Sequence, residues 1–465
     1  MSRIRPVVAL CALSLCAGAA FAQSSTPAVS SLYAFNVSNP TGNLVLGADG
    51  AVYGITSPAA SIAGGLVFRA TVDGSSIDTL VQIDRAQAMQ PVAGLMLASD
   101  GQFYGTTRFG SIDEASTTGT VYRLSPTGDF AVVHRFAAAT GSNADFNPIN
   151  TNGAYPEAEL IEGQDGYLYG VASAGGQFGT GTVFKLRRDG SDFQVLHEFA
   201  ADTDTTTVGL IRTVDGASPR GKLVQGADGR LFGTASVGGD NGRGTVFRIA
   251  PDGSAFTVLY HFSATTADAT TGLLENADGA IPLAGLADGG DGFYYGVTSA
   301  GGAEGRGVIF RISPDGATFQ ALHQFDGPTG SRPTVELTLG SDGRLYGTTE
   351  GGGVNSSNAT STLGTIFSID VAGTSFTRLY SFDGTVGSGP RSSLLELGNA
   401  DFLGTAGSNG RCGYGSMYRY KGDGTAFEGT DDRCGRRPND QGGGSGGPAL
   451  LLVLGSLAWL RRRVR

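Results

Sequence analysis

Four histidines, a series of Asp-Gly pairs, a recurring basic residue and two late cysteines are the groups in this chain that could do chemistry. His134, His197 and His323 each stand two residues before a Phe, in a slot that Tyr33, Tyr260 and Tyr380 fill elsewhere, and His261 is one place over. Metal ligation needs three or four ligands converging on one point. A slot that also accepts Tyr predicts an amphipathic side chain repeated around a rim. The Asp-Gly pairs offer one carboxylate each, whereas a calcium loop needs several oxygen donors at alternating positions. They are read as turns, because Gly supplies the positive φ that a tight turn requires. The basic residue recurs as Arg69, Arg123, Lys185, Arg248, Arg311 and Arg419, with Ser368 the exception. Its expected role is an aliphatic stem packed between sheets with the charge at the edge. The chain has no Gly-x-Ser-x-Gly elbow, His-Glu-x-x-His or P-loop. No catalytic residue, metal ligand or cofactor is assigned. Paired carboxylates need a fold to bring them together, so a glycoside-cleaving site stays open.

The elements that must position these groups are clearest in residues 222–264. Four short apolar runs, KLVQG, RLFGTAS, GTVFRI and FTVLYHF, are bounded by Gly or Asp-Gly and lack a helical period. They read as four antiparallel strands, with tight turns at Asp228-Gly229 and Asp252-Gly253. The unit recurs seven times. Its first turn falls at Asp49, Asp100, Asp165, Asp228, Asp291 and Asp342, each before Gly, with a degraded copy at Asn399. Tyr53, Tyr104, Tyr169, Phe232, Tyr295, Tyr346 and Leu403 follow, again each before Gly. An aromatic marks the third strand at Phe68, Tyr122, Phe184, Phe247, Phe310, Phe367 and Tyr418. A Pro stands four residues before a Leu at Pro40, Pro91, Pro156, Pro219, Pro282, Pro333 and Pro390. About forty residues with four antiparallel strands is the size of a propeller blade. The expected fold is all-β: a seven-bladed β-propeller of four-stranded antiparallel blades over 30–430.

Residues 31–35 match a fourth strand without its first three, and the last copy loses its own fourth strand after Phe427. The N-terminal strand is therefore expected to complete the last blade, which removes two exposed edges.

These motifs resemble the GloVer tandem repeat of bacterial surface and secreted proteins, a family defined by its repeat and its varied C-terminal anchors. The resemblance implies placement outside the cytoplasm and no particular activity. The two ends agree with it. Residues 1–22 read as a secretory signal, with Arg3 and Arg5, an apolar centre, and cleavage between Ala22 and Gln23. Residues 23–29 are a linker. Residues 431–447 are a polar, Gly-rich linker ending at Gly446 and Gly447, and 448–465 are expected to be a hydrophobic tail whose short apolar helix over 449–460 precedes Arg461, Arg462 and Arg463. Glycines, apolar helix and basic cluster resemble the GlyGly-CTERM sorting tail of Gram-negative bacteria. That resemblance implies handling by the sorting and export machinery of the inner membrane, with the membrane touched only through the tail. The protein is expected in the periplasm or anchored to the inner membrane before processing, then at the cell surface or in the medium. Cys412 and Cys434 remain after the leader and are expected to form a disulfide.

The net charge of −10 and scattered Lys and Arg leave no basic footprint for nucleic acid. High Gly, at 76 residues without a three-residue period, fits many tight turns. Both Asp-Gly turns of a blade lie on one face, so the long connections lie on the other, where function concentrates. Candidate contacts on those loops are Asp113, Glu114, Asp240, Asn241, Arg243, Glu304 and Arg306. The leading expectation is a non-catalytic module binding a glycan or protein on its long-loop face. Alternatives are an extracellular carbohydrate- or lactone-cleaving enzyme with a central-channel site, marked by two or more carboxylates converging near a basic partner, and a structural component of the envelope.

Overall fold

The computed structural model describes residues 29–35, 38–57, 64–112, 118–204, 210–354 and 363–423. The expected leader, the C-terminal helix, Cys434, Asp113 and Glu114 lie outside them. Seven antiparallel blade sheets follow one another along the chain, the last joining the C-terminal strands to the N-terminal one, and two short ribbons, Gly141–Ser142 with Pro148–Ile149 and Thr266–Ala267 with Leu274–Glu275, lie in the connections. Blade 4 is typical: Val224–Gln225, Leu231–Ala235, Thr245–Ile249 and Thr257–His261 pair in chain order. In blade 7 the third strand, Ser416–Lys421, pairs antiparallel with Val29–Ala34, and Phe35 N–H donates to the Gly415 carbonyl at 3.0 Å. The expected closure is present, with the strand beginning two residues earlier than residue 31.

A shared irregularity identifies that strand as a true fourth strand. In every blade the third-to-fourth pairing slips by one residue, leaving Leu80, Val133, Leu196, Leu259, Leu322, Leu379 and, in the closing strand, Leu32 as the extra residue. Such a bulge raises the local twist. It also explains one class of glycine. The second-turn Gly of the following blade sits on the bulged residue, as Gly253 does on Leu196 and Gly74 on Leu32, where a Cβ would come within 2.9 and 2.7 Å. The first-turn glycines, such as Gly229, face open space, and only their positive φ (79° there) demands them.

Apolar side chains between neighbouring blades form the core, and the recurring Tyr lies in it. Tyr53, Tyr104, Tyr169, Tyr295 and Tyr346 are buried, and each hydroxyl donates to the first-turn Asp four residues earlier at 2.7–2.9 Å. The Asp therefore serves both the turn and the buried hydroxyl. Blade 4 carries Phe232 at this site and needs no such acceptor.

The third-strand aromatic has the opposite chemistry. Five blades use Phe, while the Tyr122 and Tyr418 hydroxyls are buried without a hydrogen-bond partner. Removing an unsatisfied buried hydroxyl recovers its desolvation penalty. Tyr122→Phe and Tyr418→Phe should each stabilise the fold by about 1 kcal/mol. Denaturant titration checks this, and a lowered midpoint would show that a partner had been lost.

The basic slot divides in two: Arg69 and Arg419 pair within their own blades, with Asp49 at 3.0 Å and Asp401 at 2.7 Å, and three others reach outward. Lys185, Arg248 and Arg311 reach the second turn of the next blade and donate to the carbonyls of Pro251, Pro314 and Val371 at 2.9, 2.9 and 3.2 Å.

Candidate functional site: the central channel and its mouth

The third residue after each recurring Pro is Asn43, Gly94, Glu159, Lys222, Gly285, Glu336 or Ser393. These positions lie on the first strand or its entry, and side chains from blades that are not neighbours meet there. Asn43 of blade 1 donates through Nδ2 to Glu336 Oε2 of blade 6 at 3.3 Å, and its Oδ1 accepts from Ser393 N–H at 2.7 Å. Gly285 N–H donates to Glu336 Oε1 at 3.4 Å, and Lys222 Nζ lies 3.3 Å from Glu159 Oε2. Contacts between blades 1 and 6 require convergence on the axis. The first strands therefore line the channel, and Asn43, Glu159, Lys222 and Glu336 form a polar cluster within it.

The glycines make room for this cluster. A Cβ on Gly94 would fall 1.8 Å from Glu159 Oε1, and one on Gly285 2.3 Å from the Lys222 carbonyl. The Glu159 side chain is 10 % exposed and Lys222 34 %. Burial raises the Glu159 pKa, with Lys222 opposing and Glu336 adding to the rise. Lys222 is also raised, chiefly by the Glu159 carboxylate and then by Glu336. The ammonium is thus held charged between two carboxylates, and Glu159 is the one that takes a proton more readily than usual. Its Oε1 is buried without a hydrogen-bond partner.

Above the cluster stands a charged rim. The first strand begins, and the second ends, at the face carrying the long connections. Glu157, one residue after Pro156, is held by Arg108 of blade 2 and Arg220 of blade 4 at 3.1 and 2.9 Å. Across the ring Glu350, which follows the second strand of blade 6, is held by Arg332 and Arg391 at 3.4 and 3.3 Å. Four guanidiniums share two carboxylates. The Arg108 guanidinium also lies 5.3 Å from both the Phe109 and Tyr155 rings, which meet edge to face at 5.3 Å.

The backbone under this rim is strained in a repeating way. The residue before the recurring Pro has positive φ in six blades: Gln90 55°, Tyr155 56°, Ser218 51°, Ile281 59°, Arg332 55° and Gly389 58°. Residues before Pro normally adopt extended backbone. Hydrogen bonds impose the corner here. Tyr155, Ser218, Ile281 and Arg332 donate to the preceding blade at Thr118, Thr180, Arg243 and Arg306, and accept from their own second strand.

The loop candidates are not brought together. Asp240 sits 3.7 Å from His261, Asn241 donates to the Phe262 carbonyl, and Glu304 pairs with Arg306 at 3.3 Å. The Arg243 carbonyl accepts from Ile281. Each serves its own loop or the next blade. The site residues that sequence reasoning missed are Asn43, Glu159, Lys222, Glu336, Arg108, Glu157, Arg220, Arg332, Glu350 and Arg391. For seven of them the signal lay between the recurring Pro and Leu, where the repeat varies in charge; Arg108 and Glu350 follow second strands and Arg332 precedes its Pro.

The histidine slot is structural. His134, His197, Tyr260 and His323 stack on Phe193, Phe256, Phe319 and Phe376 of the next blade at 4.0, 3.6, 3.7 and 3.6 Å. His197 also contacts Asp215 at 2.8 Å, and the Tyr260 hydroxyl donates to Asp278 at 2.7 Å. Among the described residues no three His, Cys, Asp or Glu groups are placed to hold a metal. Burial pushes His134 and His323 down to about 4. In acid the unfolded chain takes up these protons first, so stability falls as pH drops from about 6.5 to about 4 and is unaffected above that window. Each histidine should contribute about 2 kcal/mol of this loss after allowance for partial exposure. His134→Tyr with His323→Tyr should flatten the profile of melting temperature against pH. An unchanged acid slope would place the effect elsewhere.

Seven radially packed blades closed by the N-terminal strand, around a polar axis and an arginine-rich mouth, define a β-propeller with its candidate site in the central channel. The Gloeobacter/Verrucomicrobia repeat model matches residues 17–150, 142–282 and 282–441, and the chain belongs to that repeat family. No curated protein matches it in sequence. Solved structures similar in outline include a gluconolactonase from Xanthomonas campestris, at 15% identity and TM-score 0.40, covering 70% of this chain and 87% of that one. A nidogen/laminin complex gives 14% identity and TM-score 0.39, with 69% and 91% covered. Likeness at this level carries nothing about activity, and the blade count rests on the strand pairing.

Proposed function

We propose that this protein is an exported, non-catalytic binding propeller whose ligand, a glycan or protein, seats on the long-loop mouth of the central channel. The observation that supports this most is the pair of Arg–Glu–Arg clusters on opposite sides of the mouth. Exposed guanidiniums in fixed orientation over a concave axis are suited to recognition. The test compares Arg220→Ser with Arg391→Ser against Arg188→Ser on the opposite face, where Arg188 lies 3.5 Å from Glu162. Binding to a glycan array and to envelope extracts should fall for the mouth pair alone. Equal loss from both faces, or none from either, would refute a site at the mouth; complete silence on every probe would favour a structural envelope component.

A second reading is favoured by Glu159 and Glu336 converging beside Lys222. Two carboxylates, one with a raised pKa, are the groups needed for acid-assisted cleavage of a glycoside or lactone. Three of their four oxygens are engaged by Lys222, Asn43 and Gly285 N–H, and Glu159 Oε1 is enclosed, so the cluster looks more like a closed axial plug. Turnover abolished by Glu159→Gln would reverse this preference.

Export, the sorting tail and the Cys412–Cys434 bridge complete the reading. The propeller would pass from the inner membrane to the surface or medium after removal of 448–465. Loss of a C-terminal epitope on export supports that route, and an uncut mature form would leave the tail as an anchor.

A further inference from the structure

We propose that the mouth recognises an acidic glycan, a sugar chain bearing carboxylate or sulfate groups, and that the left-handed corners before the recurring prolines are its specificity-determining positions. This rests on the reading that the ligand seats at the mouth.

The charge argument comes first. The chain carries a net charge of −10, yet its mouth carries Arg108, Arg220, Arg332 and Arg391 against Glu157 and Glu350. The rim alone has a surplus of two positive charges, and Glu159, Glu336 and Lys222 beneath it leave a surplus of one, in an otherwise acidic molecule. The most exposed charges at this mouth are guanidiniums, and exposed cations attract an incoming anion. Each Glu is shared by two arginines, and Arg332 and Arg391 keep side-chain exposures of 66 % and 62 %. Their remaining N–H groups can meet a carboxylate or sulfate in the forked geometry that guanidinium favours.

The aromatic pair narrows the class to sugars. Tyr155 and Phe109 are half-buried at the same mouth, where they meet edge to face and both lie against the Arg108 guanidinium. An aromatic face beside cationic donors matches a pyranose, which presents an apolar C–H face and a polar rim.

The corners supply the third observation. Their backbone geometry is nearly constant, while the side chains are Gln90, Tyr155, Ser218, Ile281 and Arg332, with Gly389 bare. A positive φ at a non-glycine costs about 1 kcal/mol or more. Gly takes this conformation without steric strain, at an entropic cost from the unfolded chain, so a corner needed only for the turn has no steric reason to avoid it. Five of six corners instead hold a larger side chain at the mouth, with Tyr155 and Arg332 on the two clusters themselves.

The experiment uses the exported chain and titrates oligogalacturonate, sulfated dextran and neutral maltooligosaccharide by calorimetry at low and high salt. At least one acidic probe should bind, the neutral one should not, and binding should weaken with salt. Whichever acidic probe binds names the acid group. Arg332→Gln with Arg391→Gln should weaken binding roughly tenfold. Glu350→Gln, which frees both guanidiniums, should tighten it several-fold, a gain that a purely structural role would not give. Arg332→Gly should retain thermal stability and still lose affinity. Binding of the neutral probe that is lost in Tyr155→Ala would overturn the acidic class while keeping the mouth. Acidic binding indifferent to every rim variant would overturn both, and absence of binding to either acidic probe overturns the class.

Discussion

Lys222→Met should cost about 2–4 kcal/mol at neutral pH, and most of that loss should disappear in acid. Removing one partner of an enclosed ion pair leaves the other uncompensated, a penalty of roughly 3–5 kcal/mol when burial is complete. The third of the Lys222 side chain that meets solvent reduces it here. Without the ammonium, Glu159 and Glu336 face each other with only Asn43 and the Gly285 N–H to offset their charge. Glu159, already raised by burial, then loses the ammonium that opposed the rise and titrates further above its unfolded value. A carboxylate raised in this way destabilises the fold as pH climbs through its folded pKa and has no effect below the unfolded one. The wild-type-minus-variant difference in unfolding free energy should therefore be small below about pH 4 and full by about pH 7. Adding Glu159→Gln and Glu336→Gln to the lysine variant should restore most of the stability at pH 7. A deficit independent of pH would mean that Lys222 acts through packing alone.

The second large effect concerns the closure. Leu32 is 2 % exposed and packs with Phe35, Leu44, Val52, Phe68, Leu403 and Met417. Leu32→Ala should cost about 2–4 kcal/mol, the usual range for truncating a buried leucine. Deleting residues 29–35 is more severe. It removes the strand paired with Ser416–Lys421 and leaves that strand as an open edge, a template for aggregation. The truncated chain should melt well below the intact one, lose amide-exchange protection at 416–421, and regain it when a peptide spanning 29–35 is added. An unchanged melting temperature after deletion would show that the last blade stands without its N-terminal strand.

The architecture was legible because sameness reveals a repeat. Seven copies of the Pro and the third-strand aromatic, six of Asp-Gly and five of Tyr-Gly specify blade, turn and count, and Leu32-Tyr33-x-Phe35 matches Leu379-Tyr380-x-Phe382 closely enough to place the closing strand. The histidine slot was readable for the same reason, since Tyr shares it. The channel was obscured by that way of looking. Its residues occupy one repeat position where Asn, Gly, Glu, Lys, Gly, Glu and Ser alternate, so alignment treats them as noise. Their meaning arises only when blades 1, 3, 4 and 6 are set around an axis. The loop residues Asp240 and Glu304 are conspicuous in sequence, and each lies exposed on its loop beside a partner on its own blade, apart from the channel cluster. The corners at Tyr155 and Arg332 run against the extended backbone expected before Pro, and hydrogen bonds from two different strands are needed to see why.

The axial quartet also bears on how such a gene can grow. Tandem arrays readily gain and lose whole units, because each repeat touches only its neighbours. Here Asn43 reaches past blade 7 to Glu336 of blade 6, and the same carboxylate acts across blade 5 on Lys222 of blade 4. Splicing in an eighth unit, or excising one, would widen or narrow the axis and pull these partners out of reach. The quartet thus acts as a copy-number lock, turning an array that could drift in length into one whose seven units are inherited together.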